Sequence, residues 1–115
     1  MEKENALDAL AALGQETRLD VFRLLVKAGK DGLTAGAVAE ALDVLPNTLS
    51  THLAALSRSG LVRAERDGRS ICYRADLGTM QHLVTYLLQD CCGGNPELCA
   101  PIASLAGGCL PSGTR

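Results

Sequence analysis

The chain has 115 residues, 47% hydrophobic and 21% charged, a balance that fits one compact globular domain with at most a short tail. No run approaches the roughly 18 to 20 apolar residues of a membrane span, and Met1-Glu2-Lys3-Glu4 lacks the apolar segment of a secretion signal, so a cytoplasmic protein without membrane partners is expected. The net charge of −2 conceals an asymmetry: residues 57–74 carry five arginines against two acids, while residues 1–56 carry eight acids and five bases, and local potential rather than the sum decides attraction to a polyanion.

Taken in chain order, Leu7, Leu10 and Leu13 are spaced by three and predict a first helix over about 4–13. Leu19, Phe22, Leu25 and Val26 predict a second over about 16–28, stopped by Gly29 and Gly32. Thr34 is placed to cap a short third helix ending at Leu42, with Val38, Ala41 and Leu42 inward. After Asp43–Leu45, Pro46 can open a fourth helix reaching about Ser59, with Leu49, Leu53 and Leu56 inward and Gly60 as its stop. The pattern then changes to two short strands over 61–66 and 70–75, joined by Asp67-Gly68, a strong hairpin signal. Helix returns over about 76–90, capped by Asp76, with Leu77, Met80, Leu83, Val84, Leu87 and Leu88 forming a broad apolar face. With Phe22, Tyr73 and Tyr86 as the chain's aromatics, the core must be aliphatic, which suits packed helices. From Cys91 onward Gly, Pro and Cys dominate, and a loop and tail are expected.

Two short helices joined by a tight turn and followed at once by a basic hairpin outline a winged helix-turn-helix, mainly α with a small β-hairpin. In such a unit the second helix lays its polar face in the major groove of double-stranded DNA. Here that face would present Asn47, Thr48, Ser50, Thr51, His52 and Ser57, short or neutral hydrogen-bonding groups suited to base edges and phosphates. Arg58 follows, and Arg66 and Arg69 near the hairpin tip would straddle the adjacent backbone or minor groove. Residues 1–90 would then form the DNA-binding and dimerisation domain, and 91–115 a cysteine-containing sensor loop and tail.

Gln15-Glu16-Thr17-Arg18-Leu19, Thr48-Leu49-Ser50-Thr51-His52-Leu53, Gly60-Leu61-Val62 and Gly68-Arg69-Ser70-Ile71-Cys72-Tyr73 resemble the ArsR (ArsR/SmtB) family of metal-sensing repressors over about residues 4–92. The resemblance implies a homodimer paired through the first and fifth helices and repression released by an inducer; two-fold symmetry would then match a palindromic operator. The surplus apolar face of the fifth helix (Leu83, Leu87, Leu88) independently suggests a partner surface. One departure is Leu45, which stands where such helices often carry a capping Ser; a missing cap costs about 0.5–2 kcal/mol.

Of five cysteines (Cys72, Cys91, Cys92, Cys99, Cys109), three fall in Cys91-Cys92-Gly93-Gly94-Asn95-Pro96-Glu97-Leu98-Cys99. Adjacent thiols pair poorly with each other, and Gly93-Gly94 and Asn95-Pro96 permit the chain to reverse, so Cys99 can return to complete a three-sulfur face. Three thiolates suit trivalent arsenic or antimony, whose lone pair fills the fourth direction; soft thiolates favour such soft centres. The segment resembles the C-terminal arsenite site of one branch of the family, which implies Cys91, Cys92 and Cys99 as ligands. The Cys-x-Cys that another branch carries in its third helix has no counterpart in Ala35–Leu42.

Other chemistries stay open. Zinc or cadmium could recruit Cys109 or His82 as a fourth ligand, a methylated arsenical needs two thiolates, and two of the cysteines could act as an oxidation or persulfide sensor. Cys72, in the middle of a strand, reads as a small buried apolar residue. No organic cofactor is implied. A small thiol reductase would want a cysteine at a helix N-terminus or beside a cation, whereas Cys91 and Cys92 follow a helix C-terminus, whose dipole disfavours thiolate; no enzyme activity is expected.

Overall fold

The computed structural model describes residues 1–89. Its elements are α1 (Lys3–Leu13), α2 (Glu16–Ala28), a 3-10 turn (Gly29–Asp31), β1 (Leu33–Thr34), α3 (Ala35–Leu42), α4 (Pro46–Arg58), β2 (Val62–Asp67), β3 (Ser70–Ala75) and α5 (Leu77–Leu88). By its contacts the chain divides into two units, one spanning Glu2–Leu77 and one that takes in α5 from Gly78. Among the described residues no helix is long and apolar enough to cross a membrane.

In the first unit α1, α2, α3 and α4 pack on one another and the three-stranded sheet closes the assembly against α2 and α4. α2 begins at Gln15, whose side-chain oxygen accepts from the Arg18 N–H at 2.8 Å, and ends at Gly29, where φ is 66°. Its inner face is Val21, Phe22 and Leu25, all buried, while Leu19 and Val26 stay exposed. α1 turns Ala6, Ala9 and Ala12 into the core, where their small side chains let the helix approach α2 and α4 closely. Leu7 and Leu10, at 56% and 42% exposure, face outward. Both sets recur every three residues, so the period identifies the helix without saying which face is inner.

Thr34 caps α3 by accepting from the Ala37 N–H at 3.2 Å, as the sequence predicts. Val38 is buried, but Ala41 is exposed and Leu42 half-buried, because the eight-residue helix turns only a narrow face inward. α3 closes on Asp43, held at φ 55°, with Asp43 N–H donating to Glu40 O and Val44 N–H to Ala39 O, the paired bonds of a Schellman ending. α4 ends in the same way around Gly60 (φ 84°), with Gly60 N–H on Ser57 O and Leu61 N–H on Leu56 O. Leu56 and Leu61, which bracket that ending, are fully buried; this contact sets the direction in which the chain enters β2.

β3 lies in the middle of the sheet, paired antiparallel with β2 on one side and β1 on the other. β1, only Leu33 and Thr34, is not anticipated by the sequence; it pairs with Tyr73 and Cys72, and two residues show no alternation of their own. The β2–β3 register pairs Asp67 with Ser70, so the hairpin turn is Gly68-Arg69 rather than Asp67-Gly68. Gly68 carries φ 65° while Arg69 has no positive φ, the requirement of a type II′ turn.

In α5, Leu83 is buried and Leu77 and Leu87 are exposed at 57% and 51%. Leu83 therefore drops out of the surplus apolar face expected of that helix, and Leu87 remains.

Candidate nucleic-acid interface

α4 is split lengthwise by its sequence. Leu49, Leu53 and Leu56 are at most 2% exposed, and recurrence at three and four residues puts them on one stripe. Asn47, Thr48, Ser50 and Thr51 are exposed on the remaining surface of the first turns. The Thr51 hydroxyl lies 3.4 Å from the Asn47 carbonyl and donates to it, leaving its oxygen lone pairs to accept. His52 and Ser57, expected outward, are half-buried; the Nδ1 of His52 is buried and has no hydrogen-bond partner among the described residues, so only part of the ring belongs to the outer face. The leading end of α4 is bare: Leu45 occupies the cap position without capping, and Pro46 follows it. The N–H groups of the first turn therefore emerge without a side chain on them, the arrangement that favours a phosphate oxygen.

The wing sorts its arginines. Arg63 and Arg74 are directly opposed across β2 and β3, a pairing of like charges that is unfavourable unless relieved. Arg74 is relieved by an ion pair with Glu65, and its Nε donates to the Lys30 carbonyl at 2.6 Å, tying the sheet to the turn before β1. Arg63 lies 3.9 Å from Asp76. Among the described residues no acid pairs with Arg58, Arg66 or Arg69, and all three are exposed. Arg69 occupies the second central position of the turn, and Arg66 lies one residue pair in from it, opposite Ile71. Both stand at the tip.

Arg58 is placed elsewhere. It sits in the last turn of α4, about 18 Å along the axis from Pro46 at the usual helical rise, and lines a cavity of about 430 Å³ with Asp8, Arg18 and Ser59. The structure thus groups Asn47, Thr48, Ser50 and Thr51 at the leading end of α4 and leaves Arg58 at the trailing end. Arg18, in the same cavity, is a structural residue: its Nε donates to the Ala12 carbonyl at 2.7 Å and closes the end of α1.

Cys72, read from sequence as a buried apolar position, is half-buried and hydrogen-bonded, its thiol donating to the Asp31 carbonyl at 3.1 Å. Cys91, Cys92, Cys99 and Cys109 lie outside the described residues. Among the described residues no group of three or more His, Cys, Asp or Glu is placed to hold a metal ion. His82 is exposed on α5.

Comparison with known proteins agrees with this geometry. A family model described as a helix-turn-helix domain matches residues 13–65, from the end of α1 to the first half of the wing. The transcriptional activator HlyU of Vibrio cholerae is 28% identical over 97 residues, 83% of this chain and 87% of that protein. An ArsR-like transcriptional regulator from Rhodococcus sp. RHA1 superposes with a TM-score of 0.71 at 26% identity, covering 93% of this chain and 96% of that one. A homodimeric winged helix-turn-helix DNA-binding domain from Mycobacterium bovis, a possible ArsR-family regulator, has a TM-score of 0.62 at 24% identity, covering 84% of each chain; at that identity the likeness concerns the fold. The matched proteins are transcriptional regulators rather than enzymes, and the fold is the winged helix-turn-helix of ArsR-like regulators.

Proposed function

We propose that this chain, a transcriptional regulator with the ArsR-like winged helix-turn-helix, is a cytoplasmic homodimeric repressor released from double-stranded operator DNA by trivalent arsenic or antimony. The observation that carries the DNA-binding half is the division of α4 into a buried leucine stripe and an exposed polar face, beside a wing that keeps Arg66 and Arg69 unneutralised while pairing off Arg63 and Arg74. Asn47, Thr48, Ser50, Thr51 and the outer part of His52 read base edges and phosphates; Arg66 and Arg69 hold the flanking backbone or minor groove. Arg58, at the far end of the helix, is assigned a backbone contact.

The homodimer forms through the terminal helices, for which the exposed Leu7 and Leu10 of α1 and Leu87 of α5 supply apolar surface. Two-fold symmetry then spaces two copies of α4 about one turn of DNA apart. The Mycobacterium bovis domain of the same fold is a homodimer, which supports this assembly.

The inducer site is assigned to Cys91, Cys92 and Cys99. Its support is the chemistry of the donor set, three thiolates within nine residues of sequence, which matches the valence of arsenic or antimony better than the four ligands that zinc takes in closed sites. Drawing Cys99 back to the end of the pairing helix changes how the two protomers present their recognition helices. A coupling of about 1–3 kcal/mol would weaken operator binding roughly 5- to 150-fold.

The test is a gel shift on an operator selected from random duplexes, run with arsenite, antimonite, zinc, cadmium and peroxide in separate lanes. Arsenite or antimonite should release the wild-type protein and leave the Cys92→Ser variant bound. Release by zinc or cadmium alone, or by peroxide alone, would replace the metalloid with a different inducer on the same scaffold. Failure to shift any duplex would overturn the DNA-binding half.

A further inference from the structure

We propose that Leu45 is a sequence-reading residue, seating the 5-methyl group of a thymine in the major groove; the proposal rests on the DNA-binding reading above. Leu45 is 74% exposed, the most exposed large hydrophobic side chain among the described residues. It packs no core and caps no helix, so neither the stability of the fold nor that of α4 accounts for it; Ser, Thr, Asp or Asn would serve the helix better at this position. Its location is specific. It stands at the leading end of α4, the end of a recognition helix whose side chains meet base edges.

The backbone holds it there. A residue before proline is confined to extended conformations, and Leu45 sits at φ −63°, ψ 139° ahead of Pro46, so little freedom remains to be lost on docking. Thymine is the one DNA base that shows a methyl group in the major groove, next to its O4 acceptor. Thr48 is exposed three residues on, one helical turn away and on the same side of the axis. An aliphatic side chain beside a hydroxyl matches both features of that base: the methyl rests on Leu45 and O4 accepts from the Thr48 hydroxyl.

The experiment substitutes deoxyuridine, which lacks only the methyl, for each thymine of the selected operator in turn and measures binding of the full chain by fluorescence anisotropy. The wild type should lose roughly fourfold in affinity per half-site, the worth of one buried methyl group, at one symmetry-related thymine position and at no other. The Leu45→Ser variant should still bind but treat thymine and deoxyuridine alike at that position. Deoxyuridine tolerated everywhere by the wild type, or an undiminished penalty in Leu45→Ser, overturns the assignment while leaving DNA binding intact. A chain that selects no duplex removes both.

Discussion

Gly32 stands at φ 65°, and a Cβ there would meet the Tyr73 carbonyl oxygen at 2.6 Å and the Cys72 sulfur at 2.7 Å. Replacing it by Ala therefore forces an L-residue into φ 65°, ψ −171°, a region open essentially to glycine alone and costing about 1–3 kcal/mol by itself, and pushes β1 off β3. Gly32→Ala should lower unfolding free energy in urea by at least that amount. At the wing, Arg69 is exposed and, among the described residues, without an acid partner, so under the proposed function its contribution goes to bound DNA rather than to the fold. Arg69→Ala should leave thermal stability unchanged and reduce the slope of log affinity against log salt by about one unit per protomer, the loss of a single phosphate contact. Such side-chain roles were only partly legible in the sequence. The five-arginine window between 57 and 74 is plain in the letters, but the register that opposes Arg63 to Arg74, and so diverts both into ion pairs, exists only once the hairpin is formed. His52, expected on the outer face, is half-buried for a related reason: helical period places it near the boundary of two faces, and burial of its Nδ1 follows from the tertiary packing.

At the scale of the element, α2 runs over the residues its pattern predicts and α4 stops one residue earlier than expected, because caps and stops are local: Gln15, Gly29, Pro46 and Gly60 act on their own turns. α1 shows the limit of that legibility. A hydrophobicity count favours its leucines for the core, yet close helix packing selects Ala6, Ala9 and Ala12, and volume rather than apolarity decides. β1 was invisible because a two-residue strand is specified by its partner, forty residues away, and not by itself. For α4, the absent cap gives a direct prediction. Leu45→Ser supplies an oxygen to the bare first-turn N–H groups and removes an exposed side chain, so urea denaturation should show a gain of about 0.5–2 kcal/mol.

For the whole molecule, the fold class was legible because each local pattern pointed to the same architecture, helix-turn-helix followed by a hairpin. The placement of the proposed sensing cysteines was not, since Cys91, Cys92 and Cys99 carry donor chemistry without any periodicity that would place them in space. In the proposed mechanism dimerisation links these cysteines to the DNA-reading unit. Leu7 and Leu10 are exposed on α1, outside the set of buried core residues, so a charge there costs the fold little. Leu10→Glu should therefore remain folded by circular dichroism, sediment as a monomer and lose operator affinity, because one half-site contact replaces two.

The decisive measurement is the affinity of the wild-type protein for a fluorescent operator, titrated at fixed salt with and without saturating arsenite. A dissociation constant raised roughly 5- to 150-fold by arsenite, and not raised in Cys92→Ser, is the predicted result. Superimposable titration curves in the presence and absence of the metalloid would contradict it.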